Sequence, residues 1–95
     1  MLKSIIQTEK ECFFCKTINN LERHHCFGAY NRNNSEKYGL TVWLCHNCHN
    51  EAPWGVHFNK QRRAYLQELA QKEFEKKYPE LNFIEIFGRN YIGVI

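Results

Sequence analysis

The sequence predicts a small α+β domain with a β-hairpin and a long C-terminal helix, stabilised by a structural zinc ion. Three observations predict it: two Cys-x2-Cys pairs, short β-prone segments between them, and a helical apolar pattern after them. The chain has 95 residues and is expected to form one domain, 1–95. In a domain of this size an apolar core alone is only just sufficient to stabilise the fold, so a structural metal ion is expected to contribute.

Cysteine usage favours zinc. The pairs are Cys12 with Cys15 and Cys45 with Cys48, and a two-residue gap lets both sulfurs of a pair reach one ion about 2.3 Å away. Two disulfides are the alternative, but the chain has five cysteines, an odd number. Its first apolar segment is also too short for a secretory signal and is followed at once by polar residues. We therefore expect a reducing compartment and structural Zn²⁺ on the four thiolates. The fifth, Cys26, is expected to be a buried apolar residue.

Two short strands and an intervening loop are expected in the first half of the chain. Residues 3–8 form either a short edge strand or a disordered tail. A first strand is predicted over 21–27, and the Asn-, Ser- and Tyr-rich residues 28–39 predict a loop. The β-branched and apolar residues 41–44 predict a second strand, antiparallel to the first.

The second half is expected to be helical. Pro53 and Gly55 predict a break after one short turn, because proline and glycine disfavour helix interiors. A long helix is expected from about 59 to 78, where apolar residues recur at three-to-four spacing. A last short helix is expected over 80–87. The apolar tail that follows should pack on the body or on a second subunit, and its members are Tyr91, Ile92 and Val94.

Histidines lie between and beside the cysteine pairs. His24 and His25 are adjacent on the first predicted strand, so their side chains point to opposite faces and cannot both bind one ion. This suggests that one binds a metal while the other acts as a general base, since neutral imidazole suits proton transfer near pH 7. His49 directly follows the last cysteine, and His46, inside the second pair, is expected to be exposed.

Charge and hydropathy narrow the class of protein only slightly. The formal net charge of +3 permits a polyanionic partner without proving one. No apolar run approaches the roughly 20 residues that cross a bilayer, so no membrane partner is expected.

The histidines, the strands and the second cysteine pair together resemble the HNH endonucleases, whose ββα-metal motif is a hairpin and a helix around one divalent cation. The resemblance covers residues 12 to about 59, with 59–88 as a helical extension. The zinc-knuckled members that it resembles include small phage-encoded nucleases. The segments that carry it are Glu22-x-His24-His25, Val42-Trp43-Leu44 and Cys45-x2-Cys48-His49.

This resemblance implies a metal-dependent DNA endonuclease that hydrolyses phosphodiester bonds. His25 would be the general base, with His24 and His49 as ligands of a catalytic Mg²⁺, Mn²⁺ or other divalent transition metal. A third ligand usually lies one helical turn after the second, where this chain has Pro53. His57 is expected to return to the site after the break and serve instead, with Asn59 as a weaker alternative.

The resemblance also implies a position for the family asparagine, which braces the loop between the strands. That position holds Leu40, which cannot donate or accept a side-chain hydrogen bond. Asn31, Asn33 or Asn34 takes over the bracing, or the brace is absent.

Contacts with DNA would come from basic residues, although each of them taken alone is better explained as a solvated surface charge. Tyr30, Tyr38 and Trp54 could stack on bases or merely cover the site. The basic candidates are Arg23, Arg32, Lys37, Lys60, Arg62 and Arg63.

Two other functions remain open at this point: a non-catalytic nucleic-acid-binding zinc module, and a zinc-stapled protein-interaction domain. The resemblance implies a phage or mobile-element origin, a partner in phage packaging or recombination, and the cytoplasm, of the host cell where phage-encoded, as the location. A homodimer stays open, since cutting both strands is easier with two sites.

Overall fold

The computed structural model describes residues 3–93 and shows a two-stranded antiparallel sheet with helices packed around it. The fold is therefore α+β, as predicted. In chain order the elements are strand β1 (Leu21–His25), a 3-10 turn (Ala29–Asn31), helix α1 (Arg32–Tyr38), strand β2 (Thr41–Cys45), and helices α2 (His46–Asn50), α3 (Lys60–Lys77) and α4 (Phe83–Phe87).

The hairpin places the histidine doublet beside the second cysteine pair. Leu21 lies opposite Cys45, and His25 lies opposite Thr41. The first cysteine pair is held to this hairpin by the backbone, because the Phe13 N–H donates to the carbonyl of Trp43 at 2.8 Å. Strand β1 ends at His25, two residues earlier than predicted.

The predicted loop over 28–39 is wrong for most of its length, since it contains the 3-10 turn and helix α1. Helix α1 lacks an apolar stripe, and it is held by polar contacts and by the ring of Tyr38, whose centroid lies 5.1 Å from that of Phe74. The buried Ser35 hydroxyl donates to the carbonyl of Phe27 at 2.7 Å and accepts from its N–H at 3.1 Å. Gly39 ends the helix in the left-handed conformation, with φ of 73°, which glycine adopts at little cost.

The segment 3–8 is neither of the two predicted alternatives. It contains no strand, yet it is fixed against the hairpin. The Ile5 N–H donates to the carbonyl of Gly39 at 2.9 Å, and the Ser4 hydroxyl donates to the carbonyl of Thr41 at 2.5 Å.

The break between α2 and α3 is confirmed, and so is the long helix. A side chain at Gly55 would lie only 2.7 Å from the backbone nitrogen of Glu51, so the turn back onto α2 requires glycine there. Asn59 then caps α3, its side-chain oxygen accepting from the Arg62 N–H at 2.9 Å.

The core lies between the hairpin, α3 and α4. Helix α4 begins at Phe83, three residues later than predicted, because the Asn82 side chain caps it by accepting from the Glu85 N–H at 3.1 Å. Tyr91 packs on Phe27 with ring centroids 4.7 Å apart, so this part of the tail packs on the body. Val94 lies outside the described residues. Within 3–93, none of the helices has the length and apolarity to cross a membrane.

Candidate metal centres

The four paired cysteines form one tight cluster. Cys12 and Cys15 come from the N-terminal segment, Cys45 from the end of β2 and Cys48 from α2, and their Sγ atoms all lie within 4.8 Å of one another. The Sγ atoms of Cys15 and Cys45 are 3.6 Å apart. Tetrahedral zinc with bonds of about 2.3 Å sets sulfurs about 3.8 Å apart, so the cluster fits structural Zn²⁺.

The cluster also favours thiolate at one position. Burial raises the pKa of the Cys12 thiol, but backbone N–H groups of Cys15, Cys45 and Phe14 outweigh this effect and lower its pKa to about 6. A thiolate is the form that binds zinc. By contrast, Cys26 is buried outside the cluster as predicted, and burial raises the pKa of its thiol to about 12.

A second group consists of three histidines. One ring nitrogen from each of His24, His49 and His57 lies within 4.8 Å of the others, and the Nε2 atoms of His49 and His57 are 3.0 Å apart. Strand β1 supplies the first, helix α2 the second and the segment before α3 the third. The structure thus brings together the three histidines that the sequence analysis selected as metal ligands.

His24 is the buried member of this group, with a relative exposure of 4%. Its Nε2 atom is buried and has no hydrogen-bond partner among residues 3–93. Burial, and then the neighbouring His49 and His57, lower its pKa to about 3. The imidazole is therefore neutral with an unused ring nitrogen inside the group, which is the state a metal ligand requires.

Backbone hydrogen bonds after the break at Pro53 and Gly55 hold His57 beside this group. After the turn, the Val56 N–H donates to the carbonyl of Cys48 at 2.9 Å and the His57 N–H donates to the carbonyl of His49 at 3.3 Å. The segment therefore folds back along α2. Asn59 is occupied elsewhere, since its side chain caps α3 and donates to the carbonyl of Pro53 at 3.3 Å.

Glu22 is a functional candidate whose role the sequence analysis missed. Its carboxylate accepts from His49 Nδ1 at 2.8 Å and from the exposed His46 at 2.9 Å, and these two bonds lower the pKa of its carboxyl group. Holding Nδ1 directs the Nε2 atom of His49 toward the group, as carboxylates commonly do for metal-binding histidines. The signal was its i,i+2 spacing from His24, which places both on one strand face.

We expect Glu22→Ala to weaken divalent-cation binding by the histidine group about 10- to 100-fold, because His49 loses the group that fixes its orientation. Calorimetric titration with Mn²⁺ measures the affinity. Glu51→Ala is the matched control, since the Glu51 carboxylate contacts His46, at 3.1 Å. Equal Mn²⁺ affinity in the Glu22 variant and the wild-type protein would contradict this role.

His25 faces away from the Glu22 side of β1, as alternation on a strand requires. Its buried Nε2 atom lies 3.5 Å from Oε2 of Glu36 on α1, and Arg23 contacts the same carboxylate at 3.4 Å. Burial and then the nearby Arg32 lower the pKa of His25, which favours the neutral ring. Glu36 was not singled out in the sequence because it lies in the segment that was predicted as a loop.

A cleft of about 420 Å³ joins His25 to the histidine group. His24, His25 and His57 line it together with Arg63 and Tyr30. His24 and His25 therefore lie on opposite faces of β1, yet both line the same cleft.

The basic candidates divide between this cleft and other surfaces. Arg63 lines the cleft, and its guanidinium donates to the carbonyl of Val56 at 3.0 Å. Arg32 is exposed at the start of α1 and acts on His25 electrostatically. Arg62 faces the rings of Phe14 and Trp54 instead. The remaining candidates outside the lining of the cleft are Arg23, which packs toward Glu36 and Trp43, Lys37, exposed at the end of α1, and Lys60, exposed at the start of α3.

Asn31 in the 3-10 turn and Asn34 in α1 brace a different contact from the one the resemblance implies. Asn31 donates to the carbonyl of Phe87 at 2.9 Å, and Asn34 donates to the carbonyl of Ile86 at 3.2 Å. Both therefore tie α1 to α4, while Asn33 is exposed and Leu40 is buried in the core. The loop after β1 is held instead by the hydroxyl of Ser35.

Comparison with known proteins finds no match: no family model matches the chain, and no curated protein or solved structure matches it. The observations therefore support a small α+β domain with a four-cysteine and a three-histidine metal-binding group, compatible with a zinc-binding ββα fold.

Proposed function

We propose that this protein is a metal-dependent DNA endonuclease of the HNH type. The observation that carries the proposal is the buried, unpartnered Nε2 atom of His24 beside two further imidazoles. An orphaned buried nitrogen is costly unless something binds it, and a divalent cation satisfies it. His25, on the other face of the same strand, borders the same cleft as a separate titratable group.

The donor set fits a catalytic rather than a closed site. Three imidazoles leave further coordination positions for water and substrate, whereas four thiolates complete a tetrahedral shell. Imidazole ligands favour Mn²⁺, Co²⁺, Ni²⁺ or Zn²⁺ over Mg²⁺, although availability in the cell can still select Mg²⁺. A cation held by His24, His49 and His57 supplies positive charge that stabilises the charge developing on the phosphate.

His25 acts on the water. A ring nitrogen of neutral His25 accepts a proton, and the resulting hydroxide attacks the phosphodiester phosphorus in line. The bond from phosphorus to the 3′ oxygen then breaks, leaving a 5′ phosphate and, after protonation, a 3′ hydroxyl. Oε2 of Glu36 lies 3.5 Å from the Nε2 atom, so its negative charge stabilises the imidazolium that forms when the ring accepts the proton.

Arg63 and Arg32 are the basic residues best placed to hold the DNA backbone. Arg63 lines the cleft beside His24 and His57, and Arg32 lies near His25. Each guanidinium can donate two parallel hydrogen bonds to a phosphate. In this proposal the scissile phosphate lies between the histidine group and His25.

The proposal predicts nicking of supercoiled plasmid DNA with added Mn²⁺ or Mg²⁺. His49→Ala should reduce the rate by about 100-fold or more, because the cation contributes several kcal/mol to the transition state. Gel electrophoresis of the plasmid measures the rate. His46→Ala is the matched control, since His46 is exposed and outside the group.

Equal nicking by His49→Ala and the wild-type protein would contradict the metal site. Plasmid binding without nicking by the wild-type protein would instead favour a non-catalytic nucleic-acid-binding zinc module.

A further inference from the structure

A second surface lies on the cysteine side of α3 and is made of aromatic rings and cations. It is a shallow groove of about 480 Å³ lined by Phe13, Phe14, Lys16, Arg62 and Tyr65. Trp54 extends it, because the Arg62 guanidinium lies 4.4 Å from the Phe14 ring centroid and 5.6 Å from that of Trp54. We call this surface the aromatic groove.

Two rings of the aromatic groove, Trp54 and Tyr65, are open to solvent although they are large and apolar, while Phe13 and Phe14 are half-buried against the core. Trp54 is 63% exposed and Tyr65 is 52% exposed. The Phe14 and Tyr65 centroids are 6.4 Å apart, so the rings form a connected strip and are not scattered. A connected exposed apolar patch commonly marks a binding surface.

The charges in the groove are positive and lie among the rings. Lys16 is 5.5 Å from the Phe13 centroid, and Arg62 lies close to two further rings. Within residues 3–93, Lys16 has an acidic partner in Glu11 at 3.6 Å and Arg62 has none, so Arg62 is the main cation of the groove. Rings that can stack on bases, beside cations that can bind phosphates, are the pattern of single-stranded nucleic acid sites.

Consecutive arginines connect the aromatic groove to the histidine cleft. The Arg62 guanidinium donates to the carbonyl of Trp54 at 3.2 Å, and that of Arg63 donates to the carbonyl of Val56 at 3.0 Å. The two side chains leave the first turn of α3 in different directions. The aromatic groove and the histidine cleft are therefore both reached from the first turn of α3.

We propose that the aromatic groove binds unpaired nucleotides a few positions from the phosphate that is cut. The substrate class is then DNA with a single-stranded segment next to the cleavage site, which a negatively supercoiled plasmid offers where its duplex opens and a relaxed duplex does not. This inference rests on the proposed nuclease function, because the groove can lie near a cleaved phosphate only if the protein cleaves DNA. Binding of nucleotides in the groove itself needs neither the catalytic cation nor His25.

The test measures binding without cleavage. Every protein carries His25→Ala, no divalent cation is added, and the probe is a fluorescein-labelled oligothymidylate of about 12 nucleotides, within the size range of single-strand sites. Fluorescence anisotropy gives the affinity. Trp54→Ala and Tyr65→Ala should each weaken binding about tenfold, because one stacked base is lost, whereas Trp54→Phe should stay within about threefold.

Two controls separate stacking from other effects. Ile84→Ala removes an exposed apolar side chain on α4 and should leave the affinity unchanged. A blunt duplex of similar length should bind all variants alike, since its bases are already stacked on each other. Circular dichroism and zinc content, matched across the variants, show that the fold is retained.

The proposal is overturned if the parent fails to bind oligothymidylate, if Trp54→Ala and Tyr65→Ala bind it as the parent does, or if they weaken duplex binding equally. If Trp54→Ala weakens oligothymidylate binding but the wild-type protein does not nick plasmid, the groove proposal stands and the nuclease proposal is refuted. If the wild-type protein nicks plasmid but Trp54→Ala binds oligothymidylate as the parent does, the nuclease proposal stands and the groove proposal is refuted.

Discussion

Cys45→Ser should leave the protein without a cooperative folded state. Cys45 is buried at the end of β2, where its Sγ atom lies 3.6 Å from that of Cys15 and so joins the N-terminal segment to the hairpin. Structural zinc contributes free energy of order 10 kcal/mol, comparable with the whole stability of a small domain. Serine does not replace a thiolate ligand, and the remaining three cysteines then hold zinc weakly.

Thermal unfolding followed by circular dichroism, with zinc content by mass spectrometry, measures this effect. The wild-type protein should carry one zinc on the cysteine cluster and melt in one transition, while Cys45→Ser should carry none and show no transition. Cys26→Ala is the matched control: Cys26 is also buried, but it lies outside the cluster, so zinc content should not change. A Cys45→Ser protein that folds without zinc would show that the apolar core is sufficient.

The cysteine cluster and the hairpin were predictable because their signals are local. A two-residue gap between cysteines nearly fixes the geometry of a pair, and alternation on a strand separates His24 from His25. The long helix α3 was predictable for the same reason, since apolar residues recur at three-to-four spacing from Leu66 to Tyr78, about three turns, and Pro79 follows its end.

Helix α1 could not be predicted from those signals. It carries no apolar stripe, and its stability comes from contacts with distant residues. Ser35 bonds to the backbone of Phe27, and Asn31 and Asn34 bond to carbonyls at the end of α4, more than 50 positions away. Such partners are set by the tertiary fold, and a sequence pattern that covers a few turns contains no record of them.

Because α1 was not predicted as a helix, the contact between Glu36 and His25 was not predicted either. The residue faces His25 only because α1 is helical and packs on the outer face of β1. Glu22 was visible as part of a motif, but its bond to His49 depends on where α2 lies against the strand. Sequence therefore indicated which histidines could act, whereas the groups that orient them required the structure.

His25→Ala should reduce plasmid nicking by about 10²- to 10⁴-fold, the range typical of a lost general base. The loss should not involve the metal, because His25 lies on the Glu36 side of β1 and the ligand group lies on the other. Mn²⁺ affinity measured by calorimetry should therefore stay within about threefold of wild type. His49→Ala should instead lose both nicking and Mn²⁺ affinity.

His25→Asn tests whether proton transfer, and not volume, is what the site requires. Asparagine retains a polar side chain but cannot accept a proton near pH 7, so its nicking rate should match that of His25→Ala. Added imidazole should partly restore nicking to His25→Ala, whose cleft has room for the free base, and should have no effect on His49→Ala. Nicking at the wild-type rate by both His25 variants would refute His25 as the base, even with the cation bound, and would move that role to a water molecule or another residue of the cleft.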